Sequence, residues 1–297
     1  MGELGDLTSQ FPFLTAESPP LSLKDVRSLL IRGGKSKRGE PEPVKEVRLA
    51  MGQVISIVGP TGSGKTALIN DIEMFADQNT PTFRQILIND RVAPPELGEE
   101  PSQNPIARIT QHTNFLSDLP VKRFLELHAE IRSSESAQVV QETIDFANRL
   151  TGEPIDPSVT MTELSGGQTR ALLIADAVVI GNSPILLLDE IENAGIHRTR
   201  ALELFREYKK IFVFVTHDPR IALLSDFRIV MSGGAMQSII MTEGEEREVA
   251  EEIKIIDDIM LGFRDRLWRG EHIDQAAFQA QLNGWCRGTG KEDGKCV

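Results

Sequence analysis

A glycine-rich octapeptide between a β-branched run and a helix-forming stretch constrains this chain more than any other segment. It consists of Gly59, Pro60, Thr61, Gly62, Ser63, Gly64, Lys65 and Thr66. Residues 54–58 before it have the composition of a buried parallel strand, and about 65–75 after it that of a helix. Glycines here let backbone N–H groups converge on phosphates at the positive end of a helix, and the lysine adds a point charge. The segment therefore predicts a nucleotide phosphate-binding loop in which the Thr66 hydroxyl can ligate Mg²⁺.

Short apolar runs alternate with helix-forming stretches through the middle of the chain. Strand-like runs cover residues 54–58, 85–88, 106–110, 185–188, 211–215 and 227–231, and helix-like stretches cover about 65–75, 121–132, 137–150, 167–180 and 199–208. This alternation predicts an α/β domain with a largely parallel sheet. The apolar runs are far shorter than the ~18 residues of a membrane span. The net charge of −12 argues against a surface that coats nucleic acid.

Two acidic residues follow the apolar run 185–188. Asp189 and Glu190 would lie at the carboxyl end of a buried strand, where open α/β sheets place their sites. Asp189 is suited to hold Mg²⁺ through water, and Glu190 to polarise an attacking water. Many strands end in acidic residues simply because they reach solvent there. This pair therefore indicates a catalytic site only together with other motifs.

A second anion-binding pattern precedes an apolar helix. It begins at Leu164 and continues with Ser165, Gly166, Gly167 and Gln168. A serine and two glycines at a helix N-terminus present N–H donors to an anion. At this point the sequence resembles the ATP-binding cassette (ABC) ATPases, whose signature is this pentapeptide. Ser165 precedes Asp189 by 24 residues, close to the family spacing.

Two further residues match the ABC pattern in order and spacing. Gln111, after the run 106–110, is similar to the family's Q-loop glutamine, and His217, after the run 211–215, to its switch histidine. The resemblance covers about residues 54–240. It implies a P-loop NTPase fold, with a RecA-like core, an antiparallel β-subdomain and a helical ABC subdomain at about 115–164.

The resemblance also implies domain boundaries. Residues 1–48 would form an irregular N-terminal segment and the start of the β-subdomain. The ABC ATPase domain would cover residues 49–242, and a C-terminal helical extension with a flexible tail would cover 243–297.

The resemblance implies ATP and Mg²⁺ as ligands and a head-to-tail dimer, formed with an identical or a related chain. Each ATP would lie between the loop of Lys65 in one subunit and the signature residues of the other. The implied roles are the general base for Glu190, the γ-phosphate sensor for His217, a contact to Mg²⁺ or water for Gln111, and the metal shell for Asp189 and Thr66.

One departure from the family concerns the adenine base. Most members stack adenine on an aromatic residue about 25 positions before the phosphate loop, whereas residues 32–39 here are basic and glycine-rich. Taken alone, this segment is predicted to be a mobile basic loop. Either Arg32 or Arg38 stacks its guanidinium on the base, or the adenine is held loosely.

A second departure follows Glu190. Residues 191–197 place Ile196 where the family has a dimer-contacting aspartate, and they are similar to the same segment of soluble ABC-like ATPases of the OLD and RecF type. Such proteins commonly carry very large insertions before the signature, whereas only 54 residues separate Gln111 from Ser165. That length is typical of the helical lobe of a transporter.

Two hypotheses on function remain. In the favoured one, the chain is a cytoplasmic ATPase subunit at the inner face of a membrane, docked on a separate membrane-spanning subunit through the surface near residues 111–121. In the other, it is a soluble ABC ATPase that remodels a protein or nucleic-acid partner. The one notable basic cluster contains acidic neighbours and does not favour nucleic acid. It comprises Arg32, Lys35, Lys37 and Arg38.

The C-terminal region has a different pattern. Its apolar residues are spaced by alternating fours and threes: Val249, Ile253, Ile256, Met260, Phe263 and Leu267. This spacing predicts an amphipathic helix with a heptad-type seam, which is expected to be buried against the core, a twin or a regulator. The cysteines, Cys286 and Cys296, lie in the tail, which fits a reducing cytoplasm.

Overall fold

The computed structural model describes residues 25–94, 97, 104–132, 137–151, 153–190 and 198–280. The strands within these ranges are β1 (Ser28–Arg32), β2 (Glu46–Ala50), β3 (Val54–Val58), β4 (Gln85–Ile88), β5 (Arg91–Val92), β6 (Ile106–Ile109), β7 (Ile185–Asp189), β8 (Ile211–Val215), β9 (Phe227–Ser232) and β10 (Ala235–Met241). The α-helices are α1 (Lys65–Glu73), α2 (Val121–Ile131), α3 (Ala137–Leu150), α4 (Gly166–Val178), α5 (Arg198–Glu207), α6 (Pro219–Leu224) and α7 (Gly244–Trp268).

The larger sheet has the order β10-β9-β3-β8-β7-β6, and its strands run parallel except for β10, which is antiparallel to β9. Each strand that the sequence predicts in this sheet is present within one residue of its expected end. The runs are buried on both faces, and strands with that pattern form parallel sheets covered on both sides. The prediction of an α/β fold is confirmed.

The two faces of the larger sheet support two separate cores. Leu186 and Leu188 of β7 point to one face and pack in a cluster with helices α2 to α5. Ile185 and Leu187 point to the other face and pack with α1 and the smaller sheet. Because successive side chains of a strand alternate between faces, one apolar run supplies both cores.

The smaller sheet is antiparallel, in the order β2-β1-β4-β5. Its first two strands correct the expectation of irregular chain up to residue 48, since residues 28–32 and 46–50 are strands. Leu29, Ile31 and Leu49 bury their side chains completely. Residues 1–24 lie outside the described residues.

Helix α7 begins five residues earlier than the predicted seam and extends one residue beyond it. Ala250 is its one buried residue. Of the expected alternatives for the seam, burial against the chain's own core does not hold at most positions, and a twin or a regulator stays a prediction. In the described part of the chain, no helix has the length and apolar content of a membrane span. The cysteines of the tail lie outside the described residues.

Candidate nucleotide site

The glycine-rich octapeptide links the carboxyl end of β3 to the N-terminus of α1. Gly64 has a φ of 103°, and a Cβ there would lie 2.8 Å from the Cα of Gly234. A Cβ on Gly59 would lie 2.4 Å from the carbonyl oxygen of Met231. Only glycine fits at both places, which is what a loop needs if its N–H groups are to approach a phosphate at a helix N-terminus.

Two side chains of this loop have polar groups suited to phosphate. The Lys65 ammonium donates to the carbonyl oxygens of Gly59 at 2.7 Å and Pro60 at 3.3 Å. The Ser63 hydroxyl is buried and has no hydrogen-bond partner among the described residues. Because an orphaned buried hydroxyl is costly, this group fits a ligand oxygen that would complete its bonding. Thr66, in the first turn of α1, is exposed and accessible to a metal ion.

The acidic pair lies where the sequence predicts it, at the carboxyl end of β7. Desolvation raises the pKa of Asp189, although the nearby Arg108 guanidinium opposes the rise. Glu190 has a φ of 52°, a left-handed conformation that is uncommon outside glycine. Its amide donates to the carbonyl oxygen of Val215 at 3.0 Å, which fixes the turn at the end of β8. The Glu190 Oε1 atom is 3.4 Å from Nε2 of His217.

Arg108 was not predicted and lies beside this pair. From β6 its guanidinium contacts Glu73 Oε2 at 2.5 Å and Asn70 Oδ1 at 2.8 Å, both on α1. The same group lies 3.5 Å from Asp189 Oδ2. The sequence signal that could have identified Arg108 is a charged residue within the otherwise apolar run 106–110. Arg108 connects the helix after the phosphate loop to the predicted metal ligand.

Gln111 follows β6 at the same edge. In the register of β6 and β7, Ile109 pairs with Leu188, so Gln111 and Glu190 each lie two residues beyond a paired position. The carbonyl oxygen of Gln111 accepts a hydrogen bond from Nη2 of Arg170 at 2.7 Å. Arg170 belongs to α4, so the Q-loop backbone is tied to the signature helix.

The signature residues begin α4. Ser165 is the N-cap, and its hydroxyl accepts from the amide of Gln168 at 3.3 Å. The Gln168 side chain accepts in return from the Ser165 amide at 3.0 Å and donates to the Pro154 carbonyl oxygen at 3.1 Å. This reciprocal pair is a capping box, which gives Gln168 a structural role. Ser165 and Gly166 are exposed, so the N-terminus of α4 is accessible.

The basic segment is ordered and lies against the phosphate loop, contrary to the expectation of a mobile loop. The Lys37 ammonium donates to the carbonyl oxygen of Gly62 at 2.7 Å, and its amide donates to that of Gly233 at 3.0 Å. Arg32 instead donates to the side chain of Gln85 within the smaller sheet. Arg38 is exposed at a turn. Lys37 is thus the cation of this segment that contacts the phosphate loop.

A buried ion cluster fixes the smaller sheet to the same loop. Arg84 is completely buried, pairs with Glu42, and donates to Asp71 Oδ2 of α1 at 2.9 Å. It also donates to the carbonyl oxygen of Gly234 at 2.9 Å. The amide of Gly234 donates in turn to the Ser63 carbonyl oxygen at 2.8 Å. The loop is therefore held from several sides.

Comparison with known proteins agrees with this geometry. The family model described as "ABC transporter" matches residues 45–193. An uncharacterized ABC transporter ATP-binding protein of Methanocaldococcus jannaschii is 45% identical over 260 residues, which cover 88% of this chain and 100% of the relative. The chain belongs to the ABC transporter ATP-binding family. It is an ATP-binding protein and an ATPase.

More distant relatives include a longer chain and solved structures. The sn-glycerol-3-phosphate import ATP-binding protein UgpC of Rhizobium meliloti is 28% identical over 227 residues, and the match covers 74% of this ABC protein but 61% of UgpC. The structure of cbiO1 from Clostridium perfringens, part of the ABC transporter complex cbiONQ, has a TM-score of 0.57 at 21% identity, covering 80% of this chain and 95% of cbiO1. A dimeric ATP-binding cassette bound to ADP and Pi has a TM-score of 0.52 at 23% identity, covering 73% and 99% of the two chains. These structures share the fold.

Proposed function

We propose that this ABC protein is the ATPase subunit of a membrane transporter and that it acts as a head-to-tail dimer closing on two ATP molecules. The observation that carries the proposal is the distribution of its anion-binding groups. The phosphate loop lies at the N-terminus of α1, while the exposed signature lies at the N-terminus of α4 and is tied to Gln111. Two copies facing each other would join the loop of one to the signature of the other.

Within each site, the phosphate loop would bind the β- and γ-phosphates through its backbone N–H groups and Lys65. Thr66 and Asp189 offer the oxygen ligands that Mg²⁺ prefers, with Gln111 at the same sheet edge. When bound, the ion neutralises charge on the phosphates. Glu190 would accept a proton from the attacking water, and His217, 3.4 Å away, would contact the γ-phosphate.

The second subunit would contribute through Ser165, Gly166 and Gly167. The capping box holds the Ser165 hydroxyl toward its own helix, so the first turn of α4 offers mainly backbone N–H groups to a phosphate. Arg170 connects this helix to the Gln111 backbone. Closure of the dimer would therefore move the signature and the Q-loop together.

A surface next to the Q-loop supports a membrane-spanning partner. Leu116 is 99% exposed and Ile131 is 76% exposed. A cleft of about 580 Å³ lies at the N-terminal half of α2. It is lined by Pro120, Lys122, Arg123, Glu126, Asp156, Pro157 and Ser158. Large exposed apolar side chains on an otherwise polar surface are typical of a protein interface. The subunit would then act in the cytoplasm at the inner face of the membrane.

Glu190→Gln tests the hydrolytic part of this proposal. The variant keeps the phosphate-binding groups but loses the base, so we expect ATP binding to persist and turnover to fall by about 10²–10⁴-fold. Gel filtration with ATP and Mg²⁺ should then show a trapped dimer. Glu203→Gln, an exposed glutamate of α5, is the control and should hydrolyse ATP like the wild type. A Glu190→Gln variant with full activity would contradict the assigned base.

Leu116→Arg tests the membrane partner. The chain is co-expressed with the product of an adjoining gene that carries several apolar segments of about 20 residues. We expect the two proteins to co-purify and the variant to lose the partner while keeping its ATPase activity. Met241→Arg changes a residue that is 61% exposed at the end of β10 and should retain the partner. Failure of the wild-type chain to co-purify would favour the soluble remodelling ATPase.

A further inference from the structure

Helix α7 carries a narrow exposed apolar stripe that the nucleotide site does not use. Val249 is 46% exposed, and Ile256, Met260 and Leu267 are each 60% exposed. These residues are seven, four and seven positions apart, so they lie along one line of the helix. We call these four residues the α7 seam. Such a continuous apolar line on the surface of a soluble domain is typical of an interaction site.

Contacts with the rest of the molecule hold α7 in place while the α7 seam stays exposed to solvent. Ala250 is completely buried. Arg228 of β9 makes two hydrogen bonds to Glu246, of 2.6 and 3.0 Å. Arg220 of α6 lies 3.4 Å from Asp257. These contacts anchor the flank next to the seam, so the helix is presented to a partner in a fixed orientation.

The seam is symmetric about residue 258. If a second α7 lies antiparallel against the first, Val249 of one copy faces Leu267 of the other, and Ile256 faces Met260. The half-buried residues beside the seam obey the same symmetry, because Ile253 would lie level with Phe263, whose ring stacks on Phe278 of its own chain at 5.5 Å. This exchange of positions is what a two-fold axis requires, since each copy then offers the same surface to the other.

Charge along α7 favours the same orientation. Its first third is mostly acidic, with Arg247 among glutamates at 245, 246, 248, 251 and 252, whereas its last turns and C-cap contain arginines at 264, 266 and 269 beside Asp265. Arg266 and Arg269 also pair with Glu271 of the same chain, which leaves Arg264 as the cation of this part for the acidic part of a twin. Antiparallel pairing places the acidic part of one helix beside the basic part of the other. Parallel pairing would place the two acidic parts together. Charged residues that flank an apolar seam set helix orientation in this way.

We propose that the α7 seam binds a second copy of this chain in an antiparallel helix pair centred near residue 258. This contact does not involve the phosphate loop or the signature, so it forms without nucleotide. It is therefore separate from the dimer that closes on ATP.

Sedimentation equilibrium of the full-length protein without nucleotide tests the pairing. We expect a reversible dimer, and we expect Met260→Glu to raise its dissociation constant at least tenfold. Leu261→Glu is the matched control, because Leu261 is apolar, 46% exposed and next in sequence but lies off the seam. It should associate like the wild type. Circular dichroism and ATP binding show that both variants remain folded.

Cysteine cross-linking tests the orientation in a background where Cys286 and Cys296 are replaced by serine. Antiparallel pairing predicts a disulfide when Val249→Cys and Leu267→Cys chains are mixed, and none within either variant alone. Cross-linking of each variant with itself would overturn the antiparallel arrangement. A wild-type chain that stays monomeric without nucleotide would overturn the proposal. So would a chain ending at residue 280 that dimerises when the full-length chain does not, because the tail would then be the occupant.

Discussion

At the scale of single residues, the contact between Lys37 and Gly62 bears on which part of a nucleotide the site recognises. The segment that carries an aromatic residue in most ABC ATPases here places an ammonium on a carbonyl oxygen of the phosphate loop. An ammonium interacts with phosphates and does not distinguish adenine from guanine by its hydrogen bonds. We therefore expect the site to recognise chiefly the triphosphate.

We predict that Lys37→Gln weakens the binding of ATP and GTP by a similar factor, about tenfold or 1.4 kcal/mol. Competition binding with a fluorescent nucleotide measures both affinities. Arg38→Gln is the control, because Arg38 is exposed on the same turn and should leave both affinities unchanged. A wild-type preference for ATP of a hundredfold or more would show a specific adenine pocket and contradict this interpretation.

The contact of Arg108 with Asp189 predicts a pH effect. Arg108 lowers the pKa of Asp189 against the rise caused by desolvation, so its removal in Arg108→Gln raises that pKa further. Because a metal ligand must be ionised, the loss of ATPase activity on acidification should begin at a higher pH in the variant. Arg123→Gln, which changes an exposed arginine of α2, should keep the wild-type profile. If ATPase activity falls at the same acidic pH in Arg108→Gln and in the wild type, Arg108 does not control the ionisation of Asp189.

At the scale of elements, the smaller sheet and α1 are joined through Arg84. Replacing Arg84 by methionine leaves Glu42 and Asp71 with uncompensated buried charge. We expect a loss of about 3–5 kcal/mol in the free energy of unfolding. Urea denaturation measures it. Arg48→Met, which breaks an exposed pair with Asp90, should cost far less, because water screens that pair. If the free energy of unfolding falls equally in both variants, the buried cluster contributes no more to stability than the exposed pair.

The sequence predicts some elements better than others for physical reasons. Strands of the larger sheet are continuous apolar runs, which are recognisable because both of their faces are buried. β1 and β2 were missed because prolines and glycines surround them, and α6 because six residues carry little periodicity. The phosphate loop, signature and acidic pair depend on local motifs. Lys37, Arg84 and Arg108 make their contacts with residues 13 to 196 positions away, which no local pattern reveals.

At the scale of the whole molecule, charge argues against a nucleic-acid partner. The net charge is −12. Three of the four cations in the basic cluster are engaged, Lys37 with Gly62, Arg32 with Gln85 and Lys35 with the ring of Phe83. We predict that DNA neither binds measurably at near-physiological salt nor stimulates hydrolysis. Fluorescence anisotropy and phosphate release measure the two effects. Micromolar DNA binding that weakens with salt and accelerates ATP hydrolysis would instead support a soluble ATPase that acts on nucleic acid.

The turn at Gly233 and Gly234 has a consequence for synthesis on the ribosome. It contacts Lys37, Ser63 and Arg84 at once, and β3 itself lies between β8 and β9. The octapeptide is translated early, but its supports follow some 170 residues later. A nascent chain that ends at Glu190 thus contains the whole motif without the neighbours that shape it. We therefore expect the chain to bind ATP only after the second half of the domain has emerged from the exit tunnel.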